Sequence, residues 1–107
     1  MTANMTEIPV NTMIENGGAV ERTFDPLVVH EVMLEFDPKQ MGYPICTLQG
    51  SGGRTEEIHP RSQKARPGHF RHRIAGDAVW NGIRVTMSRG KAARLLKLKL
   101  VGQSPGI

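Results

Sequence analysis

Four histidines, a single cysteine, one adjacent pair of glutamates and a run of basic residues are what could do chemistry in this 107-residue chain. A metal site needs donors that converge on one point, most often Cys, His, Asp or Glu. His69 and His72 are three apart, which sends them to opposite faces of a strand. Neither has a cysteine or an acid beside it in sequence, and His30 and His59 are remote. All four read as solvated or core-edge residues. Cys46 lies between Ile45 and Thr47, where a free thiol packs as a small apolar group rather than acting as a nucleophile. Glu56 and Glu57 are neighbours, so in a strand their carboxylates diverge and cannot share acid–base work. Gly50-Ser51-Gly52-Gly53 lacks the following helix whose amides would cradle a phosphate. The expectation is a chain without a catalytic set, a metal or a cofactor.

The basic residues are more informative. Residues 1–37 hold seven acids and one base, whereas residues 38–107 hold thirteen Lys and Arg against three acids. A split this strong has two physical outcomes besides a mixed, solvated surface. The acidic part lies against the basic part of its own or a neighbouring chain, or the basic part faces an external polyanion. The candidate interface or ligand residues are Arg71, Arg73, Arg84, Lys97 and Lys99, which alternate with apolar residues and so point away from a core. Arg54, Arg61, Lys64, Arg66, Arg89, Lys91 and Arg94 extend the positive set. Trp80 joins the candidates because one indole supplies much binding energy, by stacking on a sugar or anchoring an interface. Its plainer role is a core or rim residue. Single-stranded nucleic acid would need several stacking aromatics. The chain has five, Phe24, Phe36, Tyr43, Phe70 and Trp80, and a core has first claim on most of them.

The elements that must position these residues read as strands. Val28, Val32, Leu34 and Phe36 fall on one face with His30, and Glu31 and Glu35 fall on the other beside Val29 and Met33. Pro26 and Asp37-Pro38 bracket that strand as breakers. Tyr43–Gln49 is a second strand, turned back through the glycine cluster onto a return strand over residues 54–59. Residues 60–68 read as a polar loop. His69–Ile74, Ile83–Met87 and Leu96–Leu100 alternate cleanly. Residues 91–101 have helical propensity, but at a period of 3.6 the leucines and lysines would surround the helix, so a strand is preferred. The predicted core is Val28, Val32, Leu34, Ile83, Val85, Leu96, Leu98 and Leu100.

Six to eight short strands punctuated by Gly and Pro predict an all-β chain, a single antiparallel β-sandwich of jelly-roll type. Residues 1–23 are read as an extended N-terminal arm that contacts another chain, residues 24–102 as the sandwich and residues 103–107 as a tail. His69–Ile74, Trp80–Met87 and the closing stretch Ala92–Gly102 resemble the last strands of galactose-binding-like β-sandwiches, the superfamily of discoidin (coagulation-factor type C) domains. Ile83-Arg84-Val85-Thr86 after a loop, and alternate leucines ending at Gly102, carry the resemblance. Lys97 or Lys99 stands where such closing strands often have an acid. The resemblance implies a jelly-roll-like sandwich and sugar binding.

Nothing near the start reads as a signal peptide, and no apolar run approaches the roughly 20 residues of a membrane span. A soluble protein made in the cytoplasm, with no membrane insertion, is expected. The leading expectation for function is a non-enzymatic structural or adhesive subunit of a homo-oligomer or larger particle. A virion component is foremost, as a phage capsid-decoration or tail protein. A carbohydrate-binding module is the alternative, and a basic nucleic-acid-binding β domain the third.

Overall fold

The computed structural model describes residues 4–15, 17–38, 42–88 and 91–105. They form nine strands and one turn of 3-10 helix at Ser51–Gly53. The strands are β1 (Asn4–Ile8), β2 (Thr12–Ile14), β3 (Ala19–Phe36), β4 (Pro44–Gln49), β5 (Thr55–Ile58), β6 (Arg61–Gln63), β7 (Arg66–Arg73), β8 (Val79–Met87) and β9 (Ala93–Gln103). Every pairing is antiparallel, and all nine strands belong to one sheet. The chain is all-β, and residues 93–103 are a strand rather than a helix. No helix among the described residues is long and apolar enough to cross a membrane.

The sheet forks at β3. Along Ala19–Val28 that strand pairs with β8, which leads outward to β4 and β5. Along Val28–Phe36 it pairs with β9, and Glu31–Glu35 pairs with β7, which carries β6. Two separate sheets were expected; one continuous sheet is found, because an 18-residue strand serves both groups. Fully extended, β3 would reach about 56 Å, yet the longest dimension of the molecule is 43 Å and the shortest 22 Å. The register shifts along β3 bend the strand, and the sheet curls over its own core. Ile14, Val29, Val32, Cys46, Leu48, Ile83, Val85, Leu95, Leu98 and Leu100 are at most 1% exposed and belong to one apolar cluster drawn from both ends of the sheet. A flat sheet would leave one of its faces wet.

The bends occur at bulges, where an extra residue breaks the ladder and increases local twist. Between Thr23 and Leu27 the register with β8 jumps, leaving Phe24, Asp25 and Pro26 opposite Asn81 alone. Pro26 thus does not end a strand as predicted. It occupies a bulge, one of the few places in a sheet that tolerates a missing N–H. His30 is extra where Val29 pairs with Gly102 and Glu31 with Val101. Leu96 is extra where Glu35 pairs with Lys97 and Phe36 with Leu95. This last bulge reverses the phase of β9. Leu98 and Leu100 are buried as predicted, but Leu95 replaces Leu96 in the core.

The N-terminal arm also requires correction. Residues 4–8 pair with Leu98–Gly102, and residues 12–14 pair with Ala93–Leu95. Ile8, Ile14 and Val20 enter the core, and the proposed boundary at residue 23 falls inside β3. Three widely spaced apolar residues suffice here because β9 supplies a ready edge for backbone hydrogen bonds. The expected loop at 60–68 contains β6 and the start of β7. Gly68 makes that approach possible: its φ is +83°, and a Cβ there would collide with the carbonyl oxygen of Phe36. Phe70 then stands edge-on to Phe36, with ring centroids 5.7 Å apart.

Candidate functional site: the outer face of β9, β3 and β7

Where β3 runs between β9 and β7, alternation presents Glu31, Met33 and Glu35 on the side away from the core. The register sets their neighbours. Glu35 lies between Lys97 and His69, Met33 between Lys99 and Arg71, and Glu31 between Val101 and Arg73. On the far side of β9, Glu7 stands opposite Lys99 and Met5 opposite Val101. An acid-bearing strand is thus flanked on both sides by base-bearing strands. The charge split of the sequence is met first within the chain itself.

The acids of β3 are answered unequally. Glu31 accepts from both Nε and Nη2 of Arg71, the diagonal neighbour rather than the one directly opposite. Its side chain is 12% exposed, against 40% for Arg71, so the carboxylate is the better shielded partner. Glu35 faces Nε2 of His69 at 3.2 Å, and the other ring nitrogen of His69 lies 3.3 Å from the Pro67 carbonyl oxygen. Farther along β3, Glu21 pairs with Arg84 at 3.3 Å. Arg73, Lys97 and Lys99 have no ion-pair partner among the described residues.

These side chains enclose a shallow trough. Met33 and Glu35 line its floor, Lys97 and Lys99 one wall, and Arg66 and His69 the other. A second depression continues it past Met33, Arg66 and His69 to Gln63 and Arg71. Met5 is 58% exposed and lies beyond Val101, so the surface combines adaptable apolar side chains with a cationic rim. That combination is how protein interfaces are built.

Arg71, Arg73, Lys97 and Lys99 are therefore brought together, and among the described residues Arg71 alone of the four has an ion-pair partner. Arg84 is separate, ten residues earlier along β3. Trp80 is not on this surface. It is 2% exposed, with the guanidinium carbon of Arg54 4.6 Å from its ring centre. Arg54 is anchored there by donating to the Val79 carbonyl oxygen. The indole Nε1 is buried with no hydrogen-bond partner among the described residues. Trp80 thus presents no open face for a sugar or a partner, which corrects its reading as an anchor. Arg89, of the wider basic set, lies outside the described residues.

The remaining chemical candidates are dispersed. Cys46 is 0% exposed, and burial pushes its thiol up to about 12, so no thiolate forms near neutral pH. His59 pairs with Glu57 at 3.0 Å on the opposite margin of the sheet. His72 lies opposite Val32 on the inner side, facing away from His69. Among the described residues no group of three His, Cys, Asp or Glu is placed to hold a metal ion. Sequence reasoning missed Met33 and His69 as site-builders, and held Arg66 and Arg54 only as members of the wider positive set. The alternation of residues 31–35 was readable, but only the register sets β7 and β9 beside them. No protein family matches the chain, and no curated protein matches it.

Proposed function

We propose that this chain is a non-enzymatic structural module, a subunit of a larger assembly, and that the outer face of β9, β3 and β7 is its docking surface. One observation carries the reading: Arg73, Lys97 and Lys99 have no ion-pair partner among the described residues and stand around Met5, Met33 and Val101, while Glu31 and Glu35 of β3 are bonded to Arg71 and His69. A homo-oligomer or a particle of several subunits is the expected setting. We place the chain among virion components, as a phage capsid-decoration or tail protein, on its small size, its all-β build and its charge split.

The alternatives draw less support. A carbohydrate-binding module would stack a sugar on an open aromatic face; Trp80 is covered by Arg54, and the exposed Tyr43 stands apart from the trough. A single-strand nucleic-acid binder needs a row of exposed aromatics. Phe36 is buried, Phe24 and Phe70 pack against the core, and Tyr43 is exposed away from the trough.

The test is a charge-reversal set on the free cations, Arg73→Glu, Lys97→Glu and Lys99→Glu. Arg71 is left out because its removal strands Glu31. Oligomer or particle formation, oligonucleotide binding at two salt concentrations and thermal stability are measured. Each exposed charge contributes only about 0–1 kcal/mol to stability, so the variant stays folded and loses assembly. Normal assembly with abolished oligonucleotide binding would reverse the ranking in favour of a nucleic-acid binder.

A further inference from the structure

We propose that the trough over β3 receives an extended acidic segment of another protein, lying along the strand with carboxylates at alternate positions on Lys97 and Lys99. The proposal rests on the reading of the chain as a docking module and names the partner's chemistry.

Geometry sets the shape of the occupant. The walls of the trough belong to β9 and β7, which flank β3 on either side. They are therefore two strand spacings apart, about 10 Å, so a single extended chain can lie along β3 between their side chains. A nucleic-acid duplex is too wide to enter. Lys97 and Lys99 are two residues apart on one face of β9, or about 7 Å. An extended peptide repeats its same-side side chains at that interval, so acids at alternate positions meet the two ammonium groups in register. Met33 lies between the walls as an apolar floor that an intervening side chain can cover.

Charge sets its composition. Lys97 stands directly opposite Glu35, yet Glu35 bonds to His69 on the other side and leaves Lys97 free. Glu31 is likewise occupied by Arg71. Entering carboxylates thus find available donors on β9, while Glu31 is paired with Arg71 and Glu35 is turned toward His69. A phosphate chain fits less well. It would bring a charge at every residue over Glu31 and Glu35, and the rings at the trough are poorly placed to repay it by stacking: Phe70 is packed against the core and His69 is engaged by Glu35.

The experiment uses the full chain and three labelled decamers: alternating Glu–Val, alternating Lys–Val, and five Glu followed by five Val. Decathymidylate serves as a competitor. Binding is followed by anisotropy at two salt concentrations and by the methyl resonance of Met33. The alternating acidic decamer is expected to bind, to shift Met33, and to exceed the blocked decamer of equal charge. The double variant Lys97→Glu with Lys99→Glu is expected to weaken it about tenfold or more and to gain binding of the Lys–Val decamer. Arg84→Glu, distant from the trough, leaves binding unchanged. Unaltered binding in the double variant overturns the proposal, as does a tighter grip on decathymidylate. If charge reversal abolishes assembly but no acidic decamer binds, the segment is wrong and the docking reading survives. If the decamer binds but assembly ignores charge reversal, the docking reading fails and the trough stands.

Discussion

Cys46 shows how one side chain links burial to solution behaviour. Its thiol is enclosed by the core, and burial raises its pKa from 9.0 to about 12. Once the chain unfolds, the thiol ionises near 9, so between about pH 9 and 12 the unfolded state binds fewer protons than the folded one. Stability is then lost with rising pH, at about 1.4 kcal/mol per unit over that window, and none of this contribution is lost below pH 9. Chemical denaturation from pH 8 to 11 is expected to show a shallower decline for Cys46→Ala than for the parent. At pH 8 the native thiol is expected to resist a disulfide reagent until denaturant is added. Arg71 makes a related point about charge. The same residue type that is free at Arg73 is, two positions earlier, the partner of a carboxylate only 12% exposed. Substituting the two arginines therefore tests different things.

At the scale of the strand, bulges decide which residues are core. A plain reading of alternation over Leu96, Leu98 and Leu100 puts all three on one face, but the extra residue opposite the Glu35–Phe36 step exchanges Leu96 for Leu95. Leu95→Lys is expected to abolish folding, because a buried, unpaired ammonium costs several kcal/mol. Leu96→Lys is expected to cost about 1 kcal/mol or less and leave a cooperative thermal transition. The reverse order would mean that β9 runs unbulged. Gly102 belongs to the same strand for a related reason: a Cβ there would collide with the Val28 carbonyl oxygen where the ladder steps past His30. Close backbone approach, rather than turn formation, is what excludes a side chain at that position.

For the molecule as a whole, the N-terminal strands are part of the fold. Removing residues 1–18 takes Ile8 and Ile14 out of the core and exposes one edge of β9. Each buried isoleucine contributes about 2–5 kcal/mol, and a domain of this size has about 5–15 kcal/mol in total. The truncated chain is therefore expected to be unfolded or molten, read as loss of the thermal transition and of dispersed amide resonances. A folded, monomeric product would restore the picture of a detachable arm. The charge distribution follows from the same topology. The N-terminal third contributes the acids of β3 and the C-terminal two-thirds the bases of β7 and β9, so folding brings the two populations into one mosaic. Among the cations without an ion pair in the described residues, Lys97 and Lys99 of β9 and Arg73 at the end of β7 lie on the outer face beside β3.

How much of this is written in the residues themselves can be judged strand by strand. Period-two alternation in Val28–Phe36, Ile83–Met87 and the Leu–Lys run was enough to establish strands, an all-β class and the outward direction of Arg73, Lys97 and Lys99. Those properties depend on each residue's near neighbours and on the pleat, and so are local. The pairing of β3 with three strands is not local. It depends on which edges satisfy each other's backbone groups once the chain closes, and nothing in Glu31 or Glu35 names β7 and β9 as neighbours. Bulges are also hidden, since an extra residue is defined only against the strand opposite. That is why Pro26 read as a breaker, Leu96 as core, and residues 1–23 as an arm whose sparse isoleucines had no visible surface to meet. Trp80 stands open between two roles for the same reason. Its amphipathic ring suits either an interface or a core, and only the packing of Arg54 across it decided between them.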